Sequence, residues 1–173
     1  MKVLGILFIM IGSMEVGFWY RGRYLRRCNN LKMLQKAMMI LEGEISYGRT
    51  PLPDAFYEMS RRTEQSVSQF FLAISQRMEK KGKNMDEIWS EALGEVFGSS
   101  NRTELSEEDW HDLEELGNTL GYLDCQMQLQ SLALYRKRLE QSIQMCEAQK
   151  EKRTRLYPAL GTIGGMMLCL LLI

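Results

Sequence analysis

The residue types that most often perform catalysis or bind metals are sparse in this chain. His111 is the single histidine, and it stands among carboxylates in Glu-Asp-Trp-His-Asp. A zinc site needs about four ligands with characteristic His or Cys spacings, and none is present. Glu42 and Glu44 would point to different faces of a helix because they are two positions apart. No glycine-rich nucleotide-binding motif occurs. The sequence therefore predicts no enzyme, no cofactor, no metal and no small-molecule substrate.

The cysteines also lack the spacing of a functional site. Cys28, Cys125, Cys146 and Cys169 include no C-x-x-C pair. Cys169 lies in an apolar tail, and the other three lie in a segment that we expect to face the cytosol. Because the cytosol keeps thiols reduced, we expect free thiols there and no disulfide framework.

Two apolar stretches, residues 3–20 and 156–173, stand at the two ends of the chain. A helix of 18 residues is about 27 Å long, close to the ~30 Å hydrocarbon core of a bilayer. Lys and Arg near a membrane span favour the cytosolic side. Here they lie on the inner flank of each stretch: Arg21, Arg23, Arg26 and Arg27 after the first, Lys150, Lys152, Arg153 and Arg155 before the second. The pattern predicts transmembrane helices at 1–20 and 156–173 around a cytosolic domain at 21–155.

Each end has an alternative interpretation. Residues 1–13 could be a cleaved signal peptide with Lys2 as its positive start, but no A-x-A-like cleavage site follows. The tail could be a buried helix of a soluble protein. However, eight of its 18 residues are Leu or Ile and none is ionisable, whereas a core helix usually has a polar face.

Glu15 is the one charge inside the first stretch. It would either reach the membrane interface beside Arg21 or Arg23, or contact another membrane helix, since intramembrane ionisable groups usually face protein. Small residues at four-residue spacing, which let helix backbones approach closely, occur in both stretches: Ser13 and Gly17, and Gly161 and Gly165.

The middle segment is neutral and helical. Of 22 basic and 22 acidic residues, only Lys2 and Glu15 lie outside it, so no one-signed field attracts nucleic acid. A stripe at helical spacing predicts a first helix that ends near Gly48: Leu31, Leu34, Met38, Leu41 and Ile45. Five further helices follow, with predicted starts at Thr50-Pro51, near Val67, at Asn84 with Glu87, at Ser106 with Asp109, and before Leu132. The fold class is all-α: a six-helix cytosolic bundle flanked by an N-terminal and a C-terminal transmembrane helix.

Two short motifs resemble a known family. Residues 41–52 (LEGEISYGRTPL) with Ala55, and residues 116–121 (LGNTLG) with Asp124 and Gln128, are similar to the stage III sporulation protein AB family, whose terminal spans lie in the same places. Asn118 departs from the family, where a glutamate often stands. The family is similar in turn to the cytoplasmic domain of type II secretion and type IV pilus platform F proteins, in which a Gly-x-Pro-Leu segment and a Gly-Glu-x-x-Gly turn mark the same two places.

This resemblance implies a role in binding. It implies a non-enzymatic platform or adaptor in the mother-cell membrane facing the forespore, within a secretion-like channel complex. Its implied partners are a separate cytosolic ATPase, other membrane proteins of the channel and membrane lipid. The candidate partner-contact residues are Arg49, Asp124, Gly117, Gly121 and Glu15; the glycines have the alternative role of ending helices or letting two helices pack. A membrane-anchored helical sensor or adaptor unrelated to sporulation remains the alternative function.

Overall fold

The computed structural model describes residues 2–47, 50–80, 82–98, 105–120 and 125–172. Within the helices, it describes no side chains for residues 2–4, 6, 7, 47, 125 and 168–172. Six α-helices run in the order α1 Lys2–Tyr47, α2 Leu52–Arg62, α3 Gln65–Glu79, α4 Met85–Leu93, α5 Glu107–Leu120 and α6 Cys125–Leu172. A π-helical turn, Gly94–Gly98, follows α4. These segments contain no strand, so the predicted all-α class and six-helix count are confirmed.

The chain forms two compact units. We call residues Asn29–Gln144 the bundle unit, and Met1–Cys28 with Met145–Ile173 the hairpin unit. Helices α1 and α6 each contribute residues to both units.

An aromatic cluster occupies the core of the bundle unit. Five large aromatic side chains are at most 1% exposed: Phe56, Phe70, Phe71, Trp89 and Phe97. The rings of Phe70 and Trp89 meet edge to face with centroids 5.1 Å apart, a geometry that adds to the gain from burial itself. The predicted stripe on α1 faces this core, because Leu31, Leu34, Met38 and Leu41 are fully buried. Ile45 is only half-buried.

In the hairpin unit, glycines let two antiparallel helices approach closely. A Cβ at Gly17 would lie 2.7 Å from the Tyr157 carbonyl oxygen, and one at Gly161 would lie 2.5 Å from the Ser13 carbonyl oxygen. Real Cβ atoms do not approach so closely, so these positions require glycine. The small-residue pattern therefore packs α1 against α6 within one chain.

Across the described residues, no helix combines the length and the apolar character needed to cross a membrane. The two transmembrane helices predicted from the sequence are therefore not confirmed. Parts of both predicted spans fall outside the described side chains, namely residues 3, 4, 6 and 7 of the first and 168–173 of the second.

The prediction of free thiols is wrong for two of the three cysteines that it covered. Cys28 and Cys146 form a disulfide in the hairpin unit, with Cα atoms 5.9 Å apart, a normal separation for such a bond. Spacing could not reveal this pair, because the two residues are 118 positions apart and meet only when α1 and α6 pack.

The three helix starts marked by capping signals lie within two residues of those signals, but only one of them has the predicted side-chain cap. Ser106 and Asp109 form the predicted reciprocal cap: the Asp109 N–H donates to Ser106 Oγ at 3.2 Å, and the Ser106 N–H donates to Asp109 Oδ2 at 2.9 Å. Asn84 is at the N-cap of α4 but makes no side-chain cap bond. Thr50 does not cap α2, because Pro51 is the N-cap residue; the Thr50 hydroxyl donates to Glu44 Oε2 at 2.7 Å.

Candidate functional site

The glycine of the second motif, Gly117, lies in the core of the bundle unit against Trp89. A Cβ at this position would lie 2.6 Å from Trp89 Nε1 and nearer still to two ring carbons. The indole N–H donates to the Leu113 carbonyl at 2.9 Å, one helical turn before Gly117. Glycine therefore lets the indole lie flat on α5 while its polar atom stays satisfied, which a buried Trp requires. This geometry favours the packing interpretation of Gly117.

The first motif combines a buried side with a polar side. Leu41 and Ala55 are at most 1% exposed, so both belong to the core. Glu42, next to Leu41, makes an ion pair with Arg136 on α6, and the half-exposed Glu44 accepts the hydroxyl of Thr50. The motif therefore fixes the end of α1 and the entry to α2.

Two arginines on α6 connect the helices that carry the two motifs. Arg136 pairs with Glu42 on α1, while Arg138 bonds Asp112 at 2.7 Å and Glu115 at 2.6 Å on α5. Residues two apart point to different helix faces, so α6 holds α1 on one side and α5 on another. Hydrogen bonds to Glu115 and Asp112 raise the pKa of Arg138 further. Sequence reasoning missed both arginines, because their partners lie 94 and 26 positions away.

The candidate contact residues fall into three groups. Arg49, Gly121 and Asp124 lie outside the described residues. Gly117 is buried inside α5, so a partner at this end of the helix would meet exposed neighbours such as Asn118. Glu15 is exposed on α1 in the hairpin unit. Their roles in partner contact stay predictions.

A small cavity between α5 and α6 is too small for a substrate. Its volume is about 50 Å³, whereas ligand pockets usually measure ~300–1,000 Å³. Its walls include Asp112, Glu115, Ser131 and Arg138. Both carboxylates bond the same guanidinium of Arg138, so their hydrogen-bonding capacity is partly used within the protein.

The described part of the chain shows no arrangement of side chains suited to metal binding or to acid–base catalysis. It contains no group of three or more His, Cys, Asp or Glu residues arranged to hold a metal ion. His111 is exposed on α5. The strongest effect on an ionisable group concerns Tyr135, whose pKa is raised well above the usual value by burial and by the carboxylates of Asp109 and Asp112. That hydroxyl makes no hydrogen bond to any described residue.

These features define an all-helical protein with an aromatic core, in which the recognisable motifs organise helix packing. The chain belongs to the stage III sporulation protein AB family, whose sequence model matches residues 2–173. It is 30% identical to "Stage III sporulation protein AB" of Bacillus subtilis (strain 168) over 172 residues, which cover 99% of each chain.

A solved structure has the same fold. This chain resembles "Stage III sporulation protein AB (SpoIIIAB)" with a TM-score of 0.67 and 29% identity, over 73% of this chain and 98% of that one. The predicted family is therefore confirmed, and the homology supports a role in sporulation. The relatives' names describe sporulation proteins and no catalytic activity.

Proposed function

We propose that this protein is a non-enzymatic membrane platform that seats a separate cytosolic ATPase within a secretion-like complex between mother cell and forespore. The observation that carries the proposal is the family match over residues 2–173. The bundle unit suits such a role, because its buried aromatic core and its ion pairs between helices give a firm support for a partner. The sensor or adaptor unrelated to sporulation is disfavoured, since the match is to a sporulation family.

The hairpin unit is the part that we assign to the membrane. Apolar side chains on both of its helices are 49–69% exposed, among them Phe8, Ile11, Phe18, Ile163 and Met167. Large exposed apolar patches are rare on soluble monomers and mark protein or membrane contacts. In this proposal, lipid and other membrane proteins of the channel cover these side chains, and the bundle unit faces the mother-cell cytosol.

Arg49 and Asp124 are the positions at which we test ATPase binding. They belong to the two turns that the family resemblance selects. Reversing both charges, with Arg49→Glu and Asp124→Lys together, leaves the net charge of the chain unchanged. If both residues contact the ATPase, affinity should fall by about fivefold or more, which corresponds to ~1 kcal/mol, because reversal turns each attraction into a like-charge repulsion. Binding is measured by calorimetry between the full-length chain in detergent and the ATPase encoded in the same operon.

The matched control reverses an adjacent pair at the end of α3. Glu79 and Lys80 are both exposed at the end of α3, so Glu79→Lys with Lys80→Glu is also charge-neutral and should not change affinity. Equal binding by all three proteins would move the contact away from the two turns but leave the platform role standing. No binding by the folded wild-type chain would contradict the platform role itself.

A further inference from the structure

The disulfide between Cys28 and Cys146 occupies a specific place in the chain. Cys28 is the last residue of the first half of the hairpin unit, and Cys146 is the second residue of the other half. The bond therefore closes the chain into a covalent loop that contains every residue of the bundle unit. It also fixes the register of α1 against α6 at one level of the hairpin.

The surroundings of the bond protect it from solvent. Cys28 is 5% exposed and Cys146 is 2% exposed. The Tyr24 hydroxyl, one turn from Cys28, donates to the Cys146 carbonyl at 2.7 Å. The half-buried Tyr157 packs against the same cluster. An exchanging thiol can therefore reach the sulfurs only when the two helices separate at this level, which couples the chemistry of the bond to the opening of the hairpin.

Two arginines act on Tyr24, which belongs to the same buried cluster as the two cysteines. The guanidinium carbon of Arg153 lies 5.3 Å from the ring centroid of Tyr24. Burial raises the pKa of Tyr24, and the positive charges of Arg153 and Arg27 oppose that rise. Positive charge near a cysteine stabilises its thiolate, which is the nucleophile in exchange. Arg27 directly precedes Cys28 in the chain, so its charge favours the reactive thiolate of Cys28 once the pair is reduced.

We propose that Cys28 and Cys146 form a reversible dithiol–disulfide pair that locks the register of the α1–α6 hairpin when oxidised and releases it when reduced. The oxidant is a disulfide, either in another protein or in a small molecule such as oxidised glutathione. One cysteine thiolate attacks that disulfide and releases its first thiol; the second cysteine then attacks the mixed disulfide and releases the second thiol. One S–S bond breaks and one forms, and the two protons and two electrons of the pair leave on the two released thiols.

Reversibility is expected because of where the proposed function places the bond. A cytosolic segment meets a reducing thiol pool, so a bond there forms only when the local thiol–disulfide balance allows it. The lock itself does not depend on ATPase binding, and the two ideas can fail separately.

The test uses full-length protein in detergent, with Cys125→Ser and Cys169→Ser so that only the pair remains. The protein is equilibrated in glutathione buffers from fully reduced to fully oxidised, and its thiols are then alkylated and counted by mass spectrometry. We expect two free thiols at the reduced end, none at the oxidised end and a single two-electron transition between them. The Cys28→Ser variant is the control: its single thiol should either be alkylated or carry one glutathione, and it should never form an internal bond.

Hydrogen exchange reports whether the bond acts as a lock. Oxidation should slow exchange about tenfold or more in peptides covering residues 17–28 and 145–157. The disulfide keeps α1 and α6 from separating, so the local opening that exposes their amides becomes rarer. Peptides of α3, in the bundle unit, serve as the internal reference. Two alkylated thiols in every buffer, or a bond that survives the fully reduced buffer, would overturn the reversible pair. Unchanged exchange in the hairpin peptides would overturn the lock.

Discussion

Gly117 is the single position at which one added methyl group should do most damage. The Trp89 indole already fills the space that a Cβ would need, and Trp89 is itself 1% exposed, so the ring has little room to move. Gly117→Ala should therefore lower the free energy of unfolding by about 1–3 kcal/mol, the usual range for overpacking, despite the better helix propensity of alanine. Urea titration followed by circular dichroism measures the change.

Gly43→Ala is the matched control for that substitution. Gly43 also lies inside a helix, and a Cβ there would meet nothing within 4 Å. Alanine should therefore stabilise the protein at this position by up to about 1 kcal/mol through helix propensity alone. Equal effects of the two substitutions would mean that the Trp89 contact does not decide the need for glycine at 117.

Removing the buried hydroxyl of Tyr135 should not destabilise the protein, in contrast to Gly117→Ala. Its hydroxyl is buried and makes no hydrogen bond to the described residues, so Tyr135→Phe should leave stability at neutral pH unchanged or raise it by up to about 1 kcal/mol. The Tyr24 hydroxyl, which donates to the Cys146 carbonyl, gives the contrasting control: Tyr24→Phe should cost about 0.5–1.5 kcal/mol.

The same tyrosine makes the protein sensitive to alkali. Burial raises its folded-state pKa well above the usual value for tyrosine, so above pH ~10 the unfolded chain loses this proton first. The unfolded state is then favoured, and stability falls as the pH rises from the unfolded pKa towards the folded one. Unfolding curves at pH 9 and above should lose part of that slope in Tyr135→Phe; an unchanged slope would mean that other groups control alkaline unfolding.

At the scale of elements, the stripe on α1 determines whether the bundle unit folds. Leu41 is fully buried, so Leu41→Asp places an unpaired carboxylate in the core, which costs several kcal/mol against a typical total stability of ~5–15 kcal/mol. We expect residues 21–155 with this change to lose their cooperative thermal transition in circular dichroism. Met39→Asp, on the same helix but at a position 57% exposed, should retain it. If both variants lose the transition, burial of residue 41 in the core cannot be the reason for the loss.

Helix content and the buried stripe could be predicted from sequence because both depend on local periodicity. The reciprocal cap of Ser106 and Asp109 was predictable for the same reason, since its atoms lie within three residues. Thr50 was mispredicted as a cap because α2 begins one residue later than the signal suggested, with Pro51 at the N-cap. The ion pairs of Arg136 and Arg138 and the Cys28–Cys146 bond depend on which helices meet, and local periodicity carries no such information.

At the scale of the whole molecule, the two basic flanks predict that both termini lie outside the cytosol. Lys and Arg near a span are retained on the cytosolic side, and both clusters lie between the apolar stretches. The test places single cysteines in a background with the four native cysteines replaced by serine, expressed in intact, non-sporulating bacteria. Cysteines at residue 2 and after residue 173 should react with a membrane-impermeant maleimide.

A cysteine at Ser90, an exposed position on α4, provides the internal reference, because the bundle unit would lie in the cytosol. It should react only after the cells are permeabilised. Equal labelling at all three positions in intact cells would place the bundle unit outside, which would separate it from any cytosolic ATPase and contradict the platform role. Protection of all three positions until permeabilisation would instead mean that neither end crosses the membrane, and the exposed apolar side chains of the hairpin unit would then need a protein partner rather than lipid.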